Sequence, residues 1–241
     1  EFDVAAHVVA EAGRRGTPLL CSFPIVHQPV FARALAEVAA GTLGAIRRAH
    51  ASLYVSRIFS AGEAERITHG PGGGVLAHVA LDALFLVTRM LGMPAECEAR
   101  AMRLYDAHED ELHASMRLAG GAEILLDCSW SVPGYPRPGT VLELEGERGH
   151  LLVSDDGVEI DLTGKPPQRL VDADLPQRAR FDLDGESRWV EDVAFVDWVL
   201  GGAQPPGAAR EELEIHALMN ALQTSVRSGG KPAPVIAGVP A

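Results

Sequence analysis

Between residues 95 and 162 the chain falls into six short apolar stretches, 95–104, 111–118, 122–130, 140–145, 150–154 and 158–162, with Gly, Pro and Asp between them. Connections of so few residues leave no room for a crossover, so consecutive strands are expected to pair antiparallel. Within 111–118 the polar Glu111, His113, Ser115 and Arg117 alternate with the apolar Leu112, Ala114, Met116 and Leu118. That is the period of a strand with one buried and one polar face. Helical patterns are expected over 3–15, 29–40, 74–91, 188–200 and 210–227, a strand over 45–55 and a short apolar strand at 19–23. Residues 163–187, rich in Pro and Asp, read as an irregular excursion. The class implied is α+β, a mostly antiparallel open sheet of roughly six strands with helices grouped on one face. The helix and short strand at the start read as the end of a βαβ pattern whose earlier members are absent.

A chain of 241 residues, 47% hydrophobic and 22% charged, can bury a substantial core. It has no apolar run long enough to span a membrane, and no signal peptide is expected from the way residue 1 onward reads. The net charge of −12, without a basic patch, argues against nucleic-acid binding. Cys21, Cys97 and Cys128 lie far apart, mostly in apolar runs, as buried free thiols in a reducing, cytosolic compartment would. The first residue is Glu1 rather than Met, and it begins mid-pattern, which suggests a fragment or a trimmed chain.

Residues 72–92 carry the chemistry. Gly72, Gly73 and Gly74 open an apolar helix that closes on Leu91 and Gly92, and His78 and Asp82 interrupt it. At i and i+4 they share one helix face. A His there suits proton transfer near neutrality, and a carboxylate one turn away would fix its tautomer. The alternative is a buried His satisfied by its helical neighbour. The glycines 70–74 do not form a phosphate loop, since no Lys-Ser/Thr and no G-x-G-x-x-G spacing follows and residues 60–69 are polar. Among nine histidines no H-E-x-x-H, Cys-x-x-Cys or His-x-His occurs, and His108 and His113, five apart, are a weak pairing. No metal site is expected, and no G-x-S-x-G nucleophile is present. Trp130 ends a strand before Pro133 and Gly134, where it could floor a sugar pocket or cap the core. His27 follows the 19–23 stretch, where it could line a pocket, as such loops do in open α/β sheets, or be an ordinary exposed loop histidine.

Six motifs together resemble the glucose-fructose oxidoreductase / inositol dehydrogenase / MocA family of NAD(P)-dependent oxidoreductases. Residues 16–23, Pro29-Val30-Phe31 and Gly41-Thr42-Leu43-Gly44-Ala45-Ile46 look like that family's last Rossmann helix and strand with the turn that follows. Residues 72–92 look like its glycine-led helix. Gly120-Gly121-Ala122-Glu123-Ile124, Ser129-Trp130-Ser131 and 144–149 look like its sheet, and 191–201 and 212–229 like its closing helices. The resemblance implies that residues 1–24 are a remnant of a dinucleotide-binding Rossmann domain and 25–241 the C-terminal α+β domain for substrate and assembly. It implies NAD or NADP as cofactor, a sugar, polyol or cyclitol as substrate, and a homodimer or tetramer formed through the open sheet face.

The implied catalytic residues are His78 and Asp82, with His27 and Trp130 against the substrate. The family's order is inverted here, since His78 stands where it has Asp and Asp82 where it has His, and Val26 replaces a common Arg. The glycine fingerprint is missing, and the family's Glu-Lys-Pro lysine would fall before Glu1. The chain alone is therefore expected to be inactive, as a fragment of a hydride-transferring enzyme. Two other readings are a non-catalytic binding or oligomerisation subunit of the same fold and metal-assisted chemistry on His78 and Asp82.

Overall fold

The structure is a computed structural model and describes residues 2–56, 74–105, 108–171, 174–175 and 186–236. The polar stretch and glycines at 57–73 and the 176–185 part of the expected excursion lie outside the described residues.

Nine strands form one sheet, and alternation of side chains gives it two different faces. In chain order they are β1 (Ile46–Tyr54), β2 (Glu96–Met102), β3 (Glu111–Arg117), β4 (Glu123–Ser129), β5 (Gly139–Gly146), β6 (Gly149–Ser154), β7 (Gly157–Leu162), β8 (Gln168–Val171) and β9 (Ala233–Pro234). The spatial order is β8-β7-β6-β5-β1-β4-β3-β2-β9. All pairings are antiparallel except β1 with β4, which run parallel at the centre. That one parallel pair needs a long connection, and the chain between β1 and β2 supplies it.

The helices are α1 (Phe2–Arg15), α2 (Pro29–Ala39), α3 (Leu81–Leu91), α4 (Glu186–Val199) and α5 (Ala209–Arg227). A 3-10 turn at Pro24–His27 leads into α2, and a π turn at Leu76–Ala80 leads into α3. Helix α2 covers β6 and β7, α3 lies on β1, and α5 lies on β2 and β9. Helix α1 packs on α5, and α4 against the 3-10 turn. Ala49 and Ala51 on β1, and Ala80 and Ala83 of the helical layer that lies against it, are all buried. The core runs on through Ile124, Leu126, Leu142, Leu144, Val153 and Val158.

Two local devices explain motifs that look arbitrary in sequence. A Cβ on Gly146 would lie 2.5 Å from the Leu43 carbonyl oxygen, and one on Gly149 would lie 2.0 Å from that of Asp161. The β5–β6 hairpin therefore needs glycine at both ends to pass between its neighbours. Ser225, fully buried on α5, donates to the Lys231 carbonyl at 2.7 Å and accepts the Ala99 N–H at 2.8 Å. One hydroxyl thus locks the last helix to strand β2.

Three expectations need correction. The 19–23 stretch is not a strand among the described residues, where only Leu20 makes a bridge, to Ala208. A strand exists only where a neighbour takes its backbone groups, and Cys21 N–H finds a turn carbonyl, that of Gly207, at 2.9 Å. The 163–187 excursion contains β8, which pairs with β7 because Gly157 leaves room for the Leu170 backbone. The sheet accordingly has nine strands rather than about six.

Replacing Ser225 with Ala should destabilise the chain by about 1–3 kcal/mol, since it strands a buried N–H and a carbonyl. Urea denaturation of the two proteins measures it.

Candidate active site

The site is built where the helical layer changes pitch. Gly74 takes φ +108, and a Cβ there would sit 2.2 Å from a Glu109 carboxylate oxygen. The next residue, Val75, donates its N–H to the Glu109 carbonyl at 2.9 Å. The chain then makes one π turn, a wide-pitched insertion that recurs at functional sites. Leu76, Val79 and Ala80 of that turn are buried, while His78 is exposed. Asp82 follows in the first turn of α3 and is half-buried.

The imidazole of His78 lies over the indole of Trp130, with ring centroids 6.3 Å apart and planes 26° from parallel. Trp130 is 1% exposed, and its Nε1–H donates to Asp110 Oδ1 at 2.8 Å. Asp110 is fully buried, and its other oxygen accepts the Leu104 and Tyr105 N–H groups at 2.6 and 2.9 Å. His27 ends the 3-10 turn, half-buried. That turn is pinned to α3 by Phe23, whose ring stacks on Phe85 at 3.8 Å and 7°. It is held to α4 by Glu191, a buried carboxylate that accepts the Ser22 hydroxyl at 2.5 Å and the Phe23 N–H at 2.6 Å.

Of the four residues expected at the site, the structure therefore brings His78 and Trp130 into ring contact. Asp82 stands at the next turn of the same helical run, and His27 is tied to that run through the Phe23–Phe85 stack. Sequence reasoning missed Glu109, Asp110 and Glu191. No local motif marks them, because each acts on a distant segment.

A second polar cluster occupies the outward face of the sheet. The Asp127 carboxylate lies between His50 Nε2 at 2.6 Å and His113 Nδ1 at 2.5 Å, and Glu111 lies 3.7 Å from His113 Nε2. Partial burial opposes ionisation of Asp127, but hydrogen bonds from His113 and His50 outweigh it and hold the carboxyl below its ordinary value. Among the described residues no group of three or more His, Cys, Asp or Glu side chains is arranged to hold a metal ion.

Cys21, Glu212 and His216 also meet, with Glu212 3.0 Å from His216. Burial, then the hydrogen bond to Glu212, push the Cys21 thiol up to about 12. A thiol beside a carboxylate rather than an imidazolium stays protonated and is no nucleophile. Burial likewise raises Cys97 to about 11 and drives Cys128 higher still.

Residues 31–152 match the GFO/IDH/MocA C-terminal domain. The chain belongs to that family. The matched segment contains His78, Asp82, Asp110 and Trp130, with His27 just outside it. No curated protein sequence matches the chain. An oxidoreductase from Agrobacterium radiobacter, solved with NAD+, L-tartaric acid and magnesium, superposes with a TM-score of 0.84 at 17% identity, over 98% of this chain and 70% of that one. An inositol dehydrogenase homologue from Azotobacter vinelandii, solved with NADH and myo-inositol, gives 0.82 at 19%, over 97% and 68%. A levoglucosan dehydrogenase with NADH and L-sorbose gives 0.77 at 15%, over 89% and 65%. At these identities the likeness establishes the fold.

Gly74→Ala should destabilise by about 1–3 kcal/mol, because a Cβ is strained at that φ whatever the Glu109 carboxylate does. Chemical denaturation reads this directly. For Asp127, the folded-state value lies below that of the unfolded chain, so its stabilisation is complete above about pH 4 and is lost as acid titrates the carboxyl. The melting-temperature gap between the wild type and Asp127→Asn should therefore be present at about pH 5 and close as the pH falls below about 4.

Proposed function

We propose that this chain is the substrate-side part of an oxidoreductase that moves hydride between NAD or NADP and a hydroxyl-bearing carbon of a sugar, polyol or cyclitol. The observation that carries the reading is His78, exposed on a π turn over the Trp130 ring in a member of the GFO/IDH/MocA family. Imidazole is the side chain whose ordinary pKa suits proton exchange with a hydroxyl near pH 7. His78 takes the hydroxyl proton, directly or through one water, and Asp82 steadies the ring as it becomes cationic. Trp130 floors the site beneath His78, and His27 lines its edge from the 3-10 turn.

Nicotinamide, when bound, supplies the hydride acceptor. No residue of this chain is assigned to it, since the only dense glycine cluster, 70–74, follows a polar stretch and lacks the dinucleotide spacing. The relatives solved with NAD+ or NADH and with myo-inositol or L-sorbose support both the cofactor and the polyhydroxylated substrate class.

Residues 1–24 are read as the tail of a dinucleotide-binding domain and 25–241 as the substrate and assembly domain. An apolar groove of about 280 Å³, lined in part by Val8, Val9, Leu19 and Leu20, opens between α1 and α5. Val4 and Val8 stand 60% and 47% exposed beside it. An apolar face of this kind suits cover by the rest of such a domain. The open sheet face, where half-buried Leu125, Val141 and Leu152 lie among the ion pairs, is the proposed homo-oligomer contact.

The inverted order of His78 and Asp82, with Val26 in place of the family's Arg, favours one second reading, a non-catalytic subunit that binds or assembles.

The complete protein should reduce NAD or NADP with at least one member of a panel of sugars, polyols and cyclitols. His78→Ala should lower kcat by about 10²-fold or more. A near-normal kcat would remove His78 from the chemistry, and no turnover on any substrate by a properly assembled protein would favour the non-catalytic subunit.

A further inference from the structure

The buried carboxylate of Asp110 sits where three separate parts of the site converge. One oxygen accepts the indole N–H of Trp130 at 2.8 Å, and the other accepts the N–H groups of Leu104 and Tyr105 at 2.6 and 2.9 Å. Its backbone is pinned as well, since the Asp110 N–H donates to Met102 and its carbonyl accepts the Trp130 N–H. The Trp130 ring has no freedom that keeps this pattern. An indole turned away would leave its N–H unpaired in a side chain only 1% exposed, a loss on the scale of a buried unsatisfied donor. The direction of one hydrogen bond therefore fixes the plane of the ring on which His78 lies.

We infer that Asp110 is a positioning residue for His78, acting through the Trp130 indole and holding the Leu104–Tyr105 backbone to the same point. The inference deepens the acid–base reading of His78 and rests on it for its catalytic consequence, although the geometric part stands alone. Leu104 and Tyr105 are 53% and 64% exposed at this end of the sheet, so the carboxylate ties an outward apolar corner to the floor of the site. A base that exchanges protons with a hydroxyl works only within hydrogen-bond reach of it, and the seat of the imidazole decides that reach. An acceptor on the indole N–H also enriches the ring face, which favours a cationic imidazole above it.

The test follows the ring protons of His78 by NMR in this chain, assigned by their loss in His78→Gln. In the wild type they should carry an upfield ring-current displacement from Trp130. Asp110→Ala should abolish most of it. Asp110→Asn, which keeps an acceptor for the indole but sets an NH2 against the Leu104 and Tyr105 donors, should largely retain it. An unchanged His78 signal in Asp110→Ala overturns the inference. Where that variant does not fold, Asp110→Glu shifts the carboxylate by one methylene and leaves the Trp130 ring intact. Its His78 signal moves if the hydrogen bond sets the ring and stays if it does not.

In the complete protein, Asp110→Ala should lower kcat at least tenfold with KM little changed, and Asp110→Asn should recover part of it. A displaced NMR signal with unaltered kcat keeps the positioning role and removes the acid–base reading of His78, so the two fail separately.

Discussion

A nine-stranded sheet whose described helices all lie on one side must solve two different problems on its two faces. The inner face has to be apolar and shaped to whatever helix crosses it. Alanines are buried on β1, against which α3 lies, and larger residues such as Leu142, Leu144 and Val153 are buried on the neighbouring β5 and β6. No described helix covers the outer face, and its polar side chains pair laterally. Arg117 bonds Glu96 at 3.0 Å, Arg169 bonds Glu159 at 3.2 Å, and two histidines flank Asp127. Exposed pairs of this sort add little stability. Their effect changes if a second surface covers them, because desolvated charges are tolerated only when fully partnered. The arrangement around Asp127, where both oxygens already hold a ring nitrogen, is the kind that can be covered without stranding a charge.

The alternation that separates the two faces is also what made the fold legible. Strands β2 to β7 follow from period-two patterning and from Gly, Pro and Asp punctuation, and the long helices from apolar spacing and their glycine ends. The failures share a cause. The 19–23 run is apolar enough for a strand, yet strand identity belongs to a pair of segments, and its one bridge is to Ala208. Strands β8 and β9 are four and two residues long and sit at the two edges of the sheet, too short to show a period. The π turn at Leu76–Ala80 is invisible because it changes backbone pitch without changing composition.

The site was legible to the same extent. His78 and Asp82 announce themselves as polar breaks in a greasy helix, and Trp130 as the aromatic at a strand end. What organises them does not. Glu191 reaches 169 and 168 positions back to Ser22 and Phe23, and Ser225 reaches 126 back to Ala99. Asp110 holds an indole 20 positions further on. In a linear sequence these are isolated acids and a serine with no spacing to mark them. In the folded chain they are buried acceptors that gather backbone N–H groups from other segments, since such groups must find partners once water is excluded. Long-range buried acceptors of this kind turn a helix face into a fixed site.

The inverted pair gains a physical meaning from where its members lie. An ion near a helix start feels the positive end of the backbone dipole, which favours a carboxylate and opposes an imidazolium. Asp82, half-buried, lies one turn further into the same helical run, away from that end. His78 lies one turn earlier, exposed on the π turn and backed by an aromatic face. A cationic imidazole there gains from the ring beneath it and from the carboxylate after it, which together offset the dipole. In the opposite order the carboxylate would stand over the indole, whose face repels negative charge. Beside Trp130, His before Asp is the order that sets the imidazole rather than the carboxylate against the indole ring.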